Sequence, residues 1–199
     1  MSNPANSKRF DLPCMILAGG QSRRFGSNKA FAQFRGARLI DSLLERIEDQ
    51  TAGPIAINAP SGAGLGDLNL PLVADLLSGS LGPLAGIHAA LNWAEQAGYA
   101  AVLTSPVDTP LLPKNYVERL VETGAPAIAK CDDRLHFLHG LWPTHLREKL
   151  ALAVENGLRS ARDWATESQA VVCEFHYQAG LDPFFNVNTP EDLQTLENG

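Results

Sequence analysis

The chain has 199 residues, enough for one domain with a full core. Acidic side chains outnumber basic ones by 22 to 16, for a net charge of −6, which argues against a general nucleic-acid-binding surface. No apolar run approaches the ~20 residues of a membrane span. Cys14, Cys131 and Cys173 are odd in number and far apart with no Cys-x-x-Cys, so neither a disulfide framework nor a zinc site is expected. Residues 1–12 are polar and carry no apolar signal core, so the expectation is a flexible leader on a cytoplasmic protein.

Residues 14–18 form a short apolar run that reads as a buried strand. A Gly-rich stretch follows, and then an amphipathic helix over 39–50, with Leu39, Ile40, Leu43, Leu44 and Ile47 on one face. Gly53-Pro54 stops it. Strands are expected at 54–58 and 72–74, separated by a flexible Gly-rich loop at 60–70. A helix over 84–97 and an apolar strand over 100–105 come next. The second half predicts helices at 113–122, 146–154, 160–167 and 190–196, and strands at 127–130, 137–142 and 170–175. Thr189 is placed to cap the last helix, with Glu191 and Asp192 in its first turn. The strands at 127–130 and 137–142 are expected to be antiparallel around Asp132-Asp133. No internal repeat or linker is visible. Alternating strands and helices predict an α/β fold, a mostly parallel sheet covered on both faces. In such sheets ligands sit at the carboxyl ends of strands, where the Gly-rich stretch, Asn58, Asp75 and Asp108 all fall.

The Gly-rich stretch carries the chemistry. After the first strand come Gly19-Gly20, Ser22, Arg23, Arg24, Gly26 and Lys29. Bare backbone N–H groups beside fixed cations suit the phosphates of a nucleotide. Two common phosphate loops do not fit. Gly20 and Gly26 enclose five residues where a Walker A loop needs four, and Lys29 is followed by Ala30. A dinucleotide fingerprint needs Gly where Gln21 stands.

The run Leu17-Ala18-Gly19-Gly20-Gln21-Ser22-Arg23-Arg24-Phe25-Gly26 with Lys29 resembles the nucleotidyltransferase signature L-A-G-G-x-S-x-R-M-G-x-x-K, with Phe25 where Met is usual. More narrowly the chain resembles the molybdenum cofactor guanylyltransferase (MobA) family. Three further segments carry the likeness in order: Gly82-Pro83-Leu84-Ala85-Gly86, Pro106-Val107-Asp108-Thr109-Pro110, and Phe184 to Leu193 with its N-V-N-T-P-E-D-L. The resemblance spans residues 15–195 and implies a three-layer α/β/α Rossmann-like nucleotidyltransferase fold, with one or two antiparallel strands. Residues 13–199 then form a single domain, 13–110 the nucleotide-binding half and 111–199 the acceptor half.

The implied reaction transfers GMP from GTP to the phosphate of Mo-molybdopterin and releases pyrophosphate, with Mg²⁺. The implied partners are molybdenum-insertion proteins and apo-molybdoenzymes. Such a transfer needs positioning, cations and a metal on a carboxylate more than covalent chemistry. Asp108, held between prolines after a buried strand, is the candidate metal ligand, a role that the resemblance also implies. Lys29 and Arg23 are candidates to neutralise the triphosphate, with the share of Arg24 open. The resemblance places Leu17, Ala18, Gly19, Gly20, Asn58 and Asp75 at the nucleotide. Asp75 has two readings. A carboxylate can accept both N1–H and the exocyclic amine of guanine, or it can assist the metal; the first is preferred. Asn186 and Asn188 are expected to point the same way from a strand, toward the acceptor or the metal's shell. His136 falls in a segment that matches the family only in part, and Gly157-Leu158-Arg159-Ser160 resembles a segment bordering the pterin side, where Arg159 has two readings, the acceptor's phosphate or a solvated surface, the second preferred. A molybdopterin cytidylyltransferase, a sugar-phosphate nucleotidyltransferase and a non-catalytic nucleotide-binding protein remain as rivals.

Overall fold

The computed structural model describes residues 8–19, 29–77, 82–176 and 182–198. In chain order the elements are β1 (Cys14–Leu17), β2 (Gln33–Phe34), β3 (Ala37–Arg38), α1 (Leu39–Glu48), β4 (Ile55–Asn58), β5 (Leu72–Val73), α2 (Pro83–Gln96), β6 (Ala101–Pro106), α3 (Tyr116–Thr123), β7 (Ala127–Cys131), β8 (Arg134–Pro143), α4 (Arg147–Glu155), α5 (Ala161–Glu167), β9 (Val171–Phe175) and α6 (Pro190–Asn198). Seven strands make one sheet in the order β5-β4-β1-β6-β8-β7-β9. β8 alone runs against its neighbours, β6 and β7; the pairs β1–β4, β1–β6, β4–β5 and β7–β9 are parallel.

Successive side chains of a strand face opposite sides of the sheet, and β1 shows what this does. Cys14 and Ile16 join one core with Ile40, Leu43 and Ile47 of α1 and Tyr116, Val117 and Leu120 of α3. Met15 and Leu17 join the other, with Leu84, Ile87 and Leu91 of α2, Leu150 of α4 and Trp164 of α5. A sheet apolar on both faces must be covered on both, hence three layers. A smaller cluster of Phe34, Leu39, Val187 and Leu196 seats α6 and the segment before it against the β2–β3 hairpin.

β1 is central, and its register sets the functional edge. Leu17 lies opposite Asn58 of β4 and Pro106 of β6, and Asn58 lies opposite Val73 of β5. The loops after β1, β4 and β6, with that after β5 beside them, therefore leave the sheet side by side at its carboxyl edge.

Several expectations change. The leader's described part is not loose. Phe10 N donates to Gln50 O at 3.0 Å, Ala52 N to Phe10 O at 2.7 Å, and the Arg9 guanidinium to Thr51 O. The loop at 60–70, expected to be flexible, holds a short 3-10 turn at Gly66–Leu68, and Asp67 meets Arg38 at 2.6 Å. The hairpin of β2 and β3 has no counterpart in the predicted elements. It turns on Arg35 and Gly36, with φ of 51° and 83°, the left-handed pair that suits a two-residue hairpin. α3 begins at Tyr116 rather than at 113, after a turn in which Tyr116 N donates to Pro113 O. Residues 182–189 form no strand, so Asn186 and Asn188 owe their directions to other contacts. The three cysteines are buried and free, and burial pushes the Cys14 thiol to about 12 and Cys131 to about 11.

Gln50, at the end of α1, joins two helices. Its amide donates to Arg46 O at 2.8 Å and Pro113 O at 2.9 Å, and its carbonyl accepts from Val117 N at 3.1 Å in the first turn of α3. Gln50→Ala strands buried backbone groups, so stability is expected to fall by about 2 kcal/mol. Urea denaturation checks this: the midpoint should drop at unchanged slope. An unmoved midpoint would remove Gln50 from this role.

Candidate active site

Asp108 is held by its backbone. Beyond β6, Val107 N donates to Leu17 O at 3.1 Å, and Val187 N donates to Asp108 O at 2.9 Å. The side chain thus emerges between the end of β1 and the segment ahead of α6. Lys29 Nζ lies 2.7 Å from Asp108 Oδ2 and donates to Asn188 Oδ1 at 2.8 Å. One ammonium therefore joins the end of the first loop, the end of β6 and the last segment of the chain. Asn188 is fixed by the entry to α6. Asp192 Oδ2 accepts from Asn188 N at 2.6 Å and Thr189 N at 2.8 Å, while Asp192 N donates to Thr189 Oγ1 at 3.2 Å. This is a reciprocal cap, with Thr189 as the expected N-cap.

Two oxygens here are buried and unmatched. Asp108 Oδ1 and Asn186 Oδ1 have no hydrogen-bond partner among the described residues. A buried carboxylate oxygen without a donor is costly and invites a cation. The described residues contain no cluster of three or more His, Cys, Asp or Glu that could hold a metal. A metal at Asp108 would therefore draw much of its coordination from oxygens other than the described His, Cys, Asp and Glu side chains. That donor set fits a hard divalent cation bound together with substrate phosphates.

The second part of the site is built on Asn58, which is 3% exposed. Its amide donates to Val73 O at 3.0 Å and to Asp75 Oδ1 at 2.9 Å. Asp75 is exposed, so Asn58 aims a carboxylate that would otherwise turn freely. The glycines expected at this site make room for that amide. A Cβ on Gly86 would lie 2.7 Å from Asn58 Oδ1 and 3.1 Å from Leu17 Cδ2; one on Gly19 would lie 3.1 Å from the same oxygen. Ala18 N donates to Asn58 O, so the end of β1 is locked to β4. Gly86 stands in the first turn of α2, whose Pro83 fits the first helical position.

The structure thus brings Leu17, Ala18, Gly19, Lys29, Asn58, Asp75, Asp108, Asn186 and Asn188 to one edge, though in two groups, around Lys29–Asp108 and around Asn58–Asp75. Gly20, Arg23 and Arg24 lie outside the described residues. Arg159 turns back on its own helix end, donating to Val154 O and Leu158 O. His136 stacks on Phe184 at 4.7 Å between centroids, with Nε2 3.8 Å from Asp182 Oδ2. Burial keeps its pKa below the usual histidine value despite that carboxylate. Two residues the sequence reading passed over sit beneath Asp108. Thr109 and His139 are buried, with Thr109 Oγ1 3.0 Å from His139 Nε2. The available signal was a histidine inside an apolar run, between Phe137-Leu138 and Gly140-Leu141-Trp142.

The MobA-like NTP transferase domain family matches residues 14–171. A molybdenum cofactor guanylyltransferase of Mesorhizobium japonicum is 38% identical, covering 93% of this chain and 94% of the relative. Another, of Rhodobacter capsulatus, is 39% identical over 92% of this chain and 94% of its own length. Among solved structures, molybdopterin-guanine dinucleotide biosynthesis protein A of Archaeoglobus fulgidus superposes with a TM-score of 0.70 at 23% identity, covering 94% of this chain and 97% of that one; it shares the fold.

Gly86→Ala tests the packing around Asn58. The added methyl must displace the amide, so thermal unfolding is expected to show a loss of about 1–3 kcal/mol. Wild-type stability in this variant would mean that Asn58 is not confined as described.

Proposed function

The chain belongs to the molybdenum cofactor guanylyltransferase family, and we propose on that premise that the carboxyl-edge cleft passes GMP from GTP to the terminal phosphate of molybdopterin. An acceptor phosphate oxygen attacks the α-phosphorus, the bond from the α-phosphorus to the α,β-bridging oxygen breaks, and that oxygen leaves with the β- and γ-phosphates as pyrophosphate. The observation that carries the assignment of roles is the pairing of Lys29 with Asp108 beside an unmatched carboxylate oxygen.

Negative charge grows on the bridging oxygen as pyrophosphate departs, so the protein's task is alignment and neutralisation. Among the described residues, Lys29 is the cation paired with Asp108. When a triphosphate enters, its ammonium exchanges the carboxylate for phosphate oxygens and releases Asn188 Oδ1. Arg23 is assigned to the same triphosphate from its place in the signature loop. The backbone at Leu17, Ala18 and Gly19 lines the nucleotide, and Gly20 is assigned to it from its place in the signature loop. Asp75, aimed by Asn58, accepts the two donors of a guanine edge, which cytosine and adenine do not present in the same way. Asn186 and Asn188 face the acceptor. A divalent cation, proposed to be Mg²⁺, would be held by Asp108 and would supply positive charge to the reacting phosphates.

No helix among the described residues is long and apolar enough to cross a membrane, and the reading includes a cytoplasmic location. It also includes contact with molybdenum-insertion proteins and apo-molybdoenzymes, which would supply the pterin and receive the product.

Calorimetry with GTP, CTP and ATP in the presence of Mg²⁺ tests the substrate. GTP is expected to bind selectively and CTP weakly; the reverse preference would overturn the guanylyl assignment. Asp108→Asn is expected to lower turnover by about 100-fold or more, as for other lost electrostatic groups at a reacting phosphate. Lys29→Met has two opposed effects. GTP affinity should fall with the lost phosphate contact. An ammonium and a divalent ion sharing one carboxylate repel by about 2 kcal/mol even in water, so the nucleotide-free variant should bind Mn²⁺ more than about tenfold tighter than wild type. Mn²⁺ binding followed by electron paramagnetic resonance reads this, and unchanged or weaker Mn²⁺ binding would contradict the role given to Lys29.

A further inference from the structure

Among the described residues, one carboxylate oxygen of Asp108 meets Lys29 and the other meets no donor, while the backbone of Asp108 sits inside a closed turn. Whatever fixes the turn at 106–109 fixes the carboxylate. Thr109 closes it. Its hydroxyl donates to Pro106 O at 2.9 Å, across Val107 and Asp108. That proton is then committed, so at the 3.0 Å contact His139 Nε2 is the donor and Thr109 Oγ1 the acceptor. The histidine comes from β8, which runs antiparallel to β6 in the seven-stranded sheet, one residue beyond the Thr104–Gly140 pair.

We propose that His139 is a positioning residue for Asp108, acting through Thr109 to hold the 106–109 turn in the geometry that presents the carboxylate to a metal–nucleotide complex. The inference rests on the reading of Asp108 given above.

A histidine kept only for packing is the competing explanation, and the surroundings argue against it. His139 is 2% exposed and boxed by aromatic rings, with centroids of Phe184 at 4.9 Å, His136 at 5.7 Å and Tyr116 at 6.2 Å. A phenylalanine would fill such a box without the desolvation cost of an imidazole. The polar atom is retained where it meets the residue next to Asp108. Burial also drives the pKa of His139 well below the usual histidine value, with neighbouring His136 adding to it. The ring therefore stays neutral and its N–H remains a fixed donor. It is too enclosed to exchange protons with substrate. The same box reaches the acceptor side, because Phe184 leads directly into the segment that carries Asn186 and Asn188.

Three variants separate the alternatives. His139→Phe keeps the ring and removes the donor, His139→Gln restores a donor, and Thr109→Val removes the bridging hydroxyl. Ternary affinity for Mn²⁺ and GTP is read from water-proton relaxation, and turnover and KM for GTP are measured at saturating metal. His139→Phe and Thr109→Val are each expected to weaken the ternary complex by about tenfold and to lower kcat with KM for GTP little changed, the usual size for a group behind a metal ligand. His139→Gln should recover most of the loss, and the double variant His139→Phe/Thr109→Val should be no worse than either single one, because both break one device. Wild-type metal affinity and kcat in His139→Phe, no rescue by Gln, or additive losses in the double variant would each overturn the proposal. If His139→Phe does not fold, Thr109→Val against Thr109→Ser carries the same comparison. Asp108→Asn is the control. If it binds Mn²⁺ and GTP like wild type, the reading of Asp108 itself fails; if it loses binding while His139→Phe does not, only the present inference fails.

Discussion

Lys29 and Asp108 are 79 residues apart in the chain and meet at 2.7 Å. The same ammonium reaches Asn188, 159 residues away. An ion pair with small exposure is expensive to assemble unless the surrounding fold brings both partners to one place. Here that is done by the register of β1, which lies between β4 and β6 and delivers three loops to one edge. Most of the molecule can be understood as support for this convergence. The two apolar cores hold β1 from either face, and the small third core seats α6 so that its cap presents Asn188.

The pairing also explains why the site has two parts. Around Lys29 and Asp108 the chemistry is that of charge, with an ammonium, a carboxylate and two unmatched oxygens among the described residues. Around Asn58 and Asp75 it is that of shape and hydrogen-bond pattern. Glycines at 19 and 86 let an amide occupy the space between strand and helix, and the amide turns an exposed carboxylate to a chosen direction. In the proposed reaction, phosphate transfer would use the first group and base selection the second, with the end of β1 between them.

Much of this was legible in the sequence. The apolar runs of β1 and β6 and an Asp between prolines are local signals, and local signals survive without knowledge of the fold. The β2–β3 hairpin escaped because Arg35-Gly36 is a less familiar turn pair than Asn-Gly. β8 was read short because Arg134 and His136 interrupt its apolar pattern. The extended reading of 182–189 failed because the directions of Asn186 and Asn188 are set by the cap at Asp192 and by Lys29, contacts that only the folded chain supplies. Thr109 and His139 were missed for the same reason. Each is unremarkable alone, and their meaning lies in a contact between two strands and a turn.

The central chemistry has a direct measurement: GTP labelled at its α-phosphate, incubated with the chain, molybdopterin and Mg²⁺. Label recovered in a pterin–guanine dinucleotide, with unlabelled pyrophosphate released, is the outcome that the arrangement of Lys29, Asp75 and Asp108 requires. Label that remains in GTP, or efficient transfer from CTP in its place, would contradict it.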